Sequence, residues 1–299
     1  MNVRIVEVGP RDGLQNESRA IPTEAKVALV DALSAAGFDE IEVSAFVSPK
    51  WVPQLADASD VFARIRRRPG VTYAALVPNE QGLDRALEAK VGKIAVFTAA
   101  SETFNRKNIN AGIEESIARF APVVPRALRA GVRVRGYVST AFWCPYEGKI
   151  DPAAVVPVAK RLLDLGVEEI SIGDTIGKAV PDEVHALLDR LLDALPQDQI
   201  ALHFHDTYGT AVANALAAYA RGITTFDASA GGVGGCPYAP GAAGNVATED
   251  LVWALRRSGA EIAVDLEKVS AASDLLASAL GRPLPSRVRE ALRAGRPSS

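Results

Sequence analysis

Apolar residues recur along this chain with two periods that take turns. Short β-rich runs read as strands: VRIVEV (3–8), EIEVSAF (40–46), VTYAALV (71–77), KIAVFTA (93–99), VRVRGYVS (132–139), VEEISIG (167–173), IALHFH (200–205) and TTFDASA (224–230). Between them lie longer amphipathic stretches. TEAKVALVDALSAAG (23–37), EESIARFAPVVPRALRAG (114–131) and PAAVVPVAKRLLDLG (152–166) read as helices that close on glycine. Strict alternation predicts parallel strands joined by helical crossovers. Eight such units over residues 1–264 predict an α/β fold of the (β/α)8 TIM barrel type. An open doubly wound sheet is the alternative. Against it, no GxGxxG follows the first strand, where VEVGPRDGLQNE has the wrong spacing and carries charge in place of glycine. Residues 265–299 read as two polar helices around GRPLPS (281–286), packed on the outside of the barrel and followed by a disordered tail.

Composition narrows the function classes. The chain has 299 residues, 48% hydrophobic and 23% charged, with a net charge of −3. That balance suits a globular protein with a large core and argues against a nucleic-acid partner, which needs a concentrated basic face. The dense basic run from Arg64 to Arg68 reads as a solvated helix end. No apolar run approaches a membrane span, and no leader-like segment precedes the first strand. Two cysteines, Cys144 and Cys236, stand far apart without CxxC spacing. A cytoplasmic protein without a disulfide framework is expected.

In such barrels chemistry gathers where strands end. The first strand ends in Gly9-Pro10-Arg11-Asp12, the second carries Glu42, the fifth leads to Cys144 and the sixth ends in Gly173-Asp174. The seventh carries His203 and His205, two of only three histidines in the chain. Residues i and i+2 of a strand face one side, so both imidazoles enter the barrel mouth if either does. They suit a pair of metal ligands completed by a carboxylate, or packed core residues, one of them a general base. His185, within PDEVHALLDRLLDAL, reads as a helix-surface residue. The glycines at 231, 232, 234 and 235 suit a mobile lid, with Cys236 at its tip either delivered to the site or buried.

Seven stretches taken together resemble the 3-hydroxy-3-methylglutaryl-CoA lyase family, within the metal-dependent barrel lyases and synthases that act on acyl-CoA. They are EVGPRDGLQNE (7–17), FVSPKWVPQLADA (46–58), FNRKNIN (104–110), CPYEGKI (144–150), SIGDTIGKAVP (171–181), HFHDTYGTAVAN (203–214) and GGVGGCPYAPGAAGNVATEDLVW (231–253). The resemblance spans nearly the whole chain. It implies cleavage of 3-hydroxy-3-methylglutaryl-CoA, or of a related 3-hydroxy-3-alkylglutaryl-CoA; a homodimer is the default expected of such barrels. It also implies Asp12, His203, His205 and Asn245 as metal ligands, Arg11 as a substrate-polarising group and Cys236 as a lid cysteine. Asp174 and Glu42 match active-site acids, His203 or Asp174 the general base, and Glu249 an acid near the metal. Two imidazoles, a carboxylate and an amide oxygen suit Mg²⁺ or Mn²⁺ better than tetrahedral zinc, though zinc fits a similar set. Arg106, Lys107 and Asn108 read either as contacts for CoA phosphates or as a solvated helix start. A condensing synthase of the same group is the other enzyme reading, and the lid GGCPYAPGAAGN argues against it. The chain departs from the family pattern at Ser18, at Ser44-Ala45 and at Trp143, which either narrows the acyl pocket or packs outside the barrel.

Overall fold

Eight parallel strands close on themselves in the computed structural model, which describes residues 1–235 and 244–295. In chain order they are β1 (Arg4–Glu7), β2 (Glu40–Ala45), β3 (Thr72–Leu76), β4 (Lys93–Ala99), β5 (Arg133–Ser139), β6 (Glu169–Asp174), β7 (Ile200–Phe204) and β8 (Thr225–Ala228). Each pairs with its sequence neighbour, and β8 returns to β1 with Asp227 opposite Val6. The expected TIM barrel is present, and each strand lies within two residues of its predicted ends. A two-stranded ribbon, Trp143–Cys144 against Gly148–Lys149, follows β5.

The outer layer consists of α1 (Thr23–Ser34), α2 (Ala58–Arg64), α3 (Glu80–Glu88), α4 (Glu102–Ile109), α5 (Ile113–Phe120), α6 (Val123–Arg129), α7 (Pro152–Asp164), α8 (Pro181–Leu192), α9 (Ala211–Ala220) and α10 (Thr248–Arg257), with α11 (Leu266–Leu280) and α12 (Arg287–Ala294) beyond. Gly37, Gly131 and Gly166 have φ of 88°, 76° and 100°, the left-handed turn their predicted capping role requires. Two readings need correction. The single helix expected over 114–131 is α5 and α6, because Pro122 has no N–H for the i−4 carbonyl and interrupts the ladder. The helix α11 is not polar throughout, since Val269, Ala272, Leu276 and Leu280 bury one face beneath a charged exterior. Residues 296–299, where a disordered tail was expected, lie outside the described residues. None of the described helices is long and apolar enough to cross a membrane.

Strand alternation divides the interior into two chemistries. Outward positions such as Ile41, Val43, Ile94, Val96, Val134, Ile170, Ile172, Leu202 and Phe226 join the core beneath the helices. The residues between them, including Glu40, Glu42, Lys93, Arg135, Glu169, Ser171, His203 and Asp227, are polar and buried. Several of their contacts join strands that are not neighbours, so they must cross the lumen. Arg135 Nη2 on β5 donates to Asp227 Oδ1 on β8 at 2.6 Å. Tyr137 Oη on β5 donates to Glu42 Oε2 on β2 at 2.8 Å, and Lys93 Nζ on β4 to Glu40 Oε2 on β2 at 3.0 Å. Arg4 on β1 pairs with Glu169 on β6. Glu40, Glu42, Glu169 and Asp227 are thus matched by Arg4, Arg11, Lys93 and Arg135.

Removing one member of such a set leaves an uncompensated charge in the interior. Arg135→Ala is therefore expected to lower the unfolding free energy by about 3–5 kcal/mol in urea denaturation. A loss below about 1 kcal/mol would contradict a paired lumen.

Candidate active site

The turn after β1 is a π-type loop, Gly9–Gly13, in which Asp12 N and Gly13 N both reach back to Val8 O, at 2.8 and 3.2 Å. It turns Arg11 and Asp12 over the barrel mouth. A side chain at Gly13 would bring its Cβ within 2.9 Å of both Val233 O and Ser229 Oγ, so only glycine lets this turn lie against the loop after β8. Arg11 bonds Asp12 Oδ1 through Nη1, and its Nη2 donates to Glu42 Oε2 at 2.8 Å.

Opposite stand the two histidines of IALHFH. Their Nε2 atoms are 3.1 Å apart, and each lies 3.9 Å from Asp12 Oδ2. Asn245 is brought to the same point by backbone pairing with His205. Its Nδ2 donates to Asp12 Oδ2 at 3.0 Å and to Val233 O at 3.1 Å, while its Oδ1 is buried without a partner among the described residues. Asp12, His203 and His205 could together hold a metal ion. Ligands about 2.1 Å from a six-coordinate cation stand about 3.0 Å apart when adjacent, close to the separation of the two imidazole nitrogens. Asn245 meets Asp12 through Nδ2, and turning its amide over would bring the unpartnered Oδ1 there as a fourth donor of the hard type such an ion takes. The residues fit a divalent cation.

The electrostatics agree. Burial alone would raise the Asp12 carboxyl, but Arg11, His203 and His205 bring it down to about 2, so it is an anion in any ordinary buffer. Burial and the neighbouring His203 lower His205 to about 4, leaving a neutral imidazole. Burial also acts to lower His203, but its bond to Asp227 and the charges of Asp12 and Asp227 outweigh it, and the net shift is upward. His203 Nδ1 lies 3.2 Å from Asp227 Oδ2.

Above this polar floor opens a cavity of about 770 Å³, its walls including Val47, Leu76, Phe97, Phe104, Ile109 and Tyr137. The other predicted residues are distributed as follows. Asp174 ends β6 between Gly173 and Thr175, which line the cavity, but it is itself fully buried. Its oxygens accept Lys178 N at 3.1 Å and Ala179 N at 3.0 Å, and burial pushes its carboxyl up to about 7 despite them. Glu249 bonds Gly231 N at 2.8 Å and Ser273 Oγ at 2.6 Å. Those contacts tie it to the root of the loop after β8 and to α11, not to the cation-binding atoms. Lys107 and Asn108 line the cavity, whereas Arg106 points to Glu102, with Nε 3.7 Å from its carboxylate. All three stand late in α4 and not at a helix start, because Ser101 Oγ already caps the helix at Phe104 N. Cys236 lies outside the described residues.

One expectation about strand five changes, and one open alternative is decided. Cys144 is buried against Ser101 Oγ at 3.1 Å and does not line the cavity, so no thiol enters the mouth from there. Trp143 packs outside the barrel. Its Nε1 donates to Glu183 Oε2 at 3.0 Å, and Lys178 Nζ lies 4.0 Å from the ring centre. Sequence reasoning missed Tyr137, Arg135, Ser171 and Asp227. The signal was available: each is polar at an inward position of a strand whose outward positions are apolar.

The model of the HMGL-like family matches residues 2–276. A Pseudomonas aeruginosa protein, the 3-hydroxy-3-isohexenylglutaryl-CoA/hydroxy-methylglutaryl-CoA lyase, is 50% identical over 290 residues, 97% of this chain and 97% of its own length. The mitochondrial hydroxymethylglutaryl-CoA lyase of Rattus norvegicus is 50% identical over 289 residues, 97% of this chain and 89% of its own. The crystal structure of hydroxymethylglutaryl-CoA lyase from Pseudomonas aeruginosa matches with a TM-score of 0.97 at 50% identity, covering 99% of this chain and 98% of that one.

The shifts at the site set a pH dependence. A cation on His203 Nε2 must displace any proton there, and that proton is held more tightly than in a free imidazole, whose value is 6.5. The expected apparent affinity for Mg²⁺, measured by calorimetry, is flat at alkaline pH. It falls about tenfold per pH unit below a midpoint lying above 6.5. Affinity unchanged through that range would contradict the assignment.

Proposed function

The chain belongs to the HMGL-like family, and on that footing we propose that it is a carbon–carbon lyase. It cleaves 3-hydroxy-3-methylglutaryl-CoA to acetoacetate and acetyl-CoA. The observation that carries this reading is the meeting of Asp12, His203 and His205 beside Arg11 on the floor of a cavity with apolar walls. Asp12, His203, His205 and Asn245 would hold Mg²⁺ or Mn²⁺. When bound, the cation supplies Lewis-acid polarisation of the substrate's hydroxyl and carboxylate oxygens.

The cleavage is balanced within the substrate. The 3-hydroxyl gives up its proton, the C2–C3 bond breaks, C3 becomes the ketone of acetoacetate, and the electron pair passes to the thioester enolate. Arg11 is held against Asp12 and Glu42 with its Nε buried and unpartnered among the described residues. It stabilises the developing enolate oxygen, by about 3–4 kcal/mol on the scale of oxyanion donors. Glu42 acts by holding Arg11. The hydroxyl proton goes to His203 or to Asp174, whose carboxyl burial pushes up to about 7. His203 lines the cavity with Nε2 toward His205 and Asp12 and Nδ1 toward Asp227, whereas Asp174 is buried beside the lining residues Gly173 and Thr175. Cys236 returns a proton to the enolate carbon, and Lys107 and Asn108, which line the cavity, contact the CoA phosphates.

A second reading concerns the acyl group. The apolar wall of Val47, Leu76 and Phe97, with Trp143 outside the barrel, suits a longer 3-alkyl chain as well as methyl. A homodimer working in the cytoplasm completes the proposal.

Incubated with Mg²⁺ and 3-hydroxy-3-methylglutaryl-CoA, the purified chain is expected to release acetoacetate and acetyl-CoA in equal amounts, and none after chelation. His203→Ala should abolish turnover. Asp174→Asn and Cys236→Ser should each lower kcat by about 10²–10⁴-fold without weakening Mg²⁺ binding. No turnover of either the 3-methyl or the 3-isohexenyl thioester would overturn the reading, and a Cys236→Ser variant as fast as wild type would remove the lid cysteine from it.

A further inference from the structure

Beneath His203 lies an acid that neither faces the cavity nor belongs to the cation-binding set. Asp227 is almost wholly buried and is gripped from three strands. Arg135 Nη2 on β5 donates to its Oδ1 at 2.6 Å, Ser171 Oγ on β6 donates to its Oδ2 at 2.7 Å, and His203 Nδ1 on β7 meets the same Oδ2 at 3.2 Å. A carboxylate held this way cannot swing to another partner. It only accepts hydrogen bonds, so the nitrogen facing it is the one that carries the proton. The other ring nitrogen of His203 then keeps its lone pair, directed toward His205 Nε2 and Asp12 Oδ2.

We propose that Asp227 is the positioning residue for His203. It fixes the Nδ1–H tautomer and the plane of the ring, so that the Nε2 lone pair is presented before a divalent cation arrives. Arg135 and Ser171 hold Asp227 in place. The two imidazoles are therefore unequal. His205 has no such acid, and its Nδ1 is buried without a partner among the described residues. His203 is preset across the lumen, whereas His205 is free to exchange tautomers when the cation binds. The inference rests on reading Asp12, His203 and His205 as a cation site. Losing an outer partner of this kind typically costs about 10–100-fold in metal affinity.

The test needs no turnover. The chain has only three histidines, so ¹⁵N-histidine labelling resolves each ring. In metal-free wild type at mildly alkaline pH, His203 is expected to show Nδ1 protonated and Nε2 bare. Asp227→Asn is expected to lose that pattern and to bind Mg²⁺ about 10–100-fold more weakly by calorimetry. Nε2–H on wild-type His203, or wild-type Mg²⁺ affinity in Asp227→Asn, would overturn the positioning role and leave the cation site standing. A wild type that binds no Mg²⁺ would overturn the cation site itself, and this inference with it. Should Asp227→Asn fail to fold, the wild-type tautomer decides: Nδ1–H supports the role and Nε2–H ends it.

Discussion

Charge inside a barrel has to be paired across it, and that constraint organises this molecule. A lumen filled by branched apolar residues would be cheaper to fold, since a buried ion pair recovers its desolvation cost only when geometry and hydrogen bonding are good. Here Arg135 reaches Asp227 on one side and Tyr137 on the other. Through Asp227 it supports His203, and through Tyr137 and Glu42 it supports Arg11 and so Asp12. One guanidinium thus stands under both arms of the cation site. Groups that meet at the mouth are positioned by contacts below it, on strands that are stiff because their outward faces are locked into the core.

The alternation that builds the barrel also sorts its chemistry. Outward apolar residues bind the helices, and inward polar residues pair with one another. The strand ends place Arg11, Asp12, His203 and His205 around one point. The loop carrying Asn245 returns to that point because its backbone pairs with the end of β7. Above it part of the wall is apolar, so the cavity joins a cation-binding floor to a hydrocarbon-binding side. That combination matches an acyl thioester with a carboxylate at its far end.

Much of this was legible in the sequence because it depends on local period. Eight apolar runs gave eight strands, and the i, i+2 spacing of His203 and His205 put both rings on one side. What escaped depends on distant partners or on single atoms. The missing N–H of Pro122 broke a helix whose hydrophobic pattern runs on unbroken. The buried face of α11 was hidden by Glu267, Lys268 and Asp274 around it. The choice between the two readings of Trp143 was settled by Glu183 and Lys178, which receive it outside the barrel from a different part of the chain. The inward polar position of Asp227 was visible within TTFDASA, but its partners lie on β5, β6 and β7, and no pattern within one strand specifies them.

The most direct measurement is anomalous diffraction from crystals grown with Mn²⁺. The account predicts one strong peak at the barrel mouth, about 2.0–2.3 Å from a carboxylate oxygen of Asp12 and from Nε2 of both His203 and His205. A mouth without a peak under saturating Mn²⁺, or a peak that omits either imidazole, would contradict it.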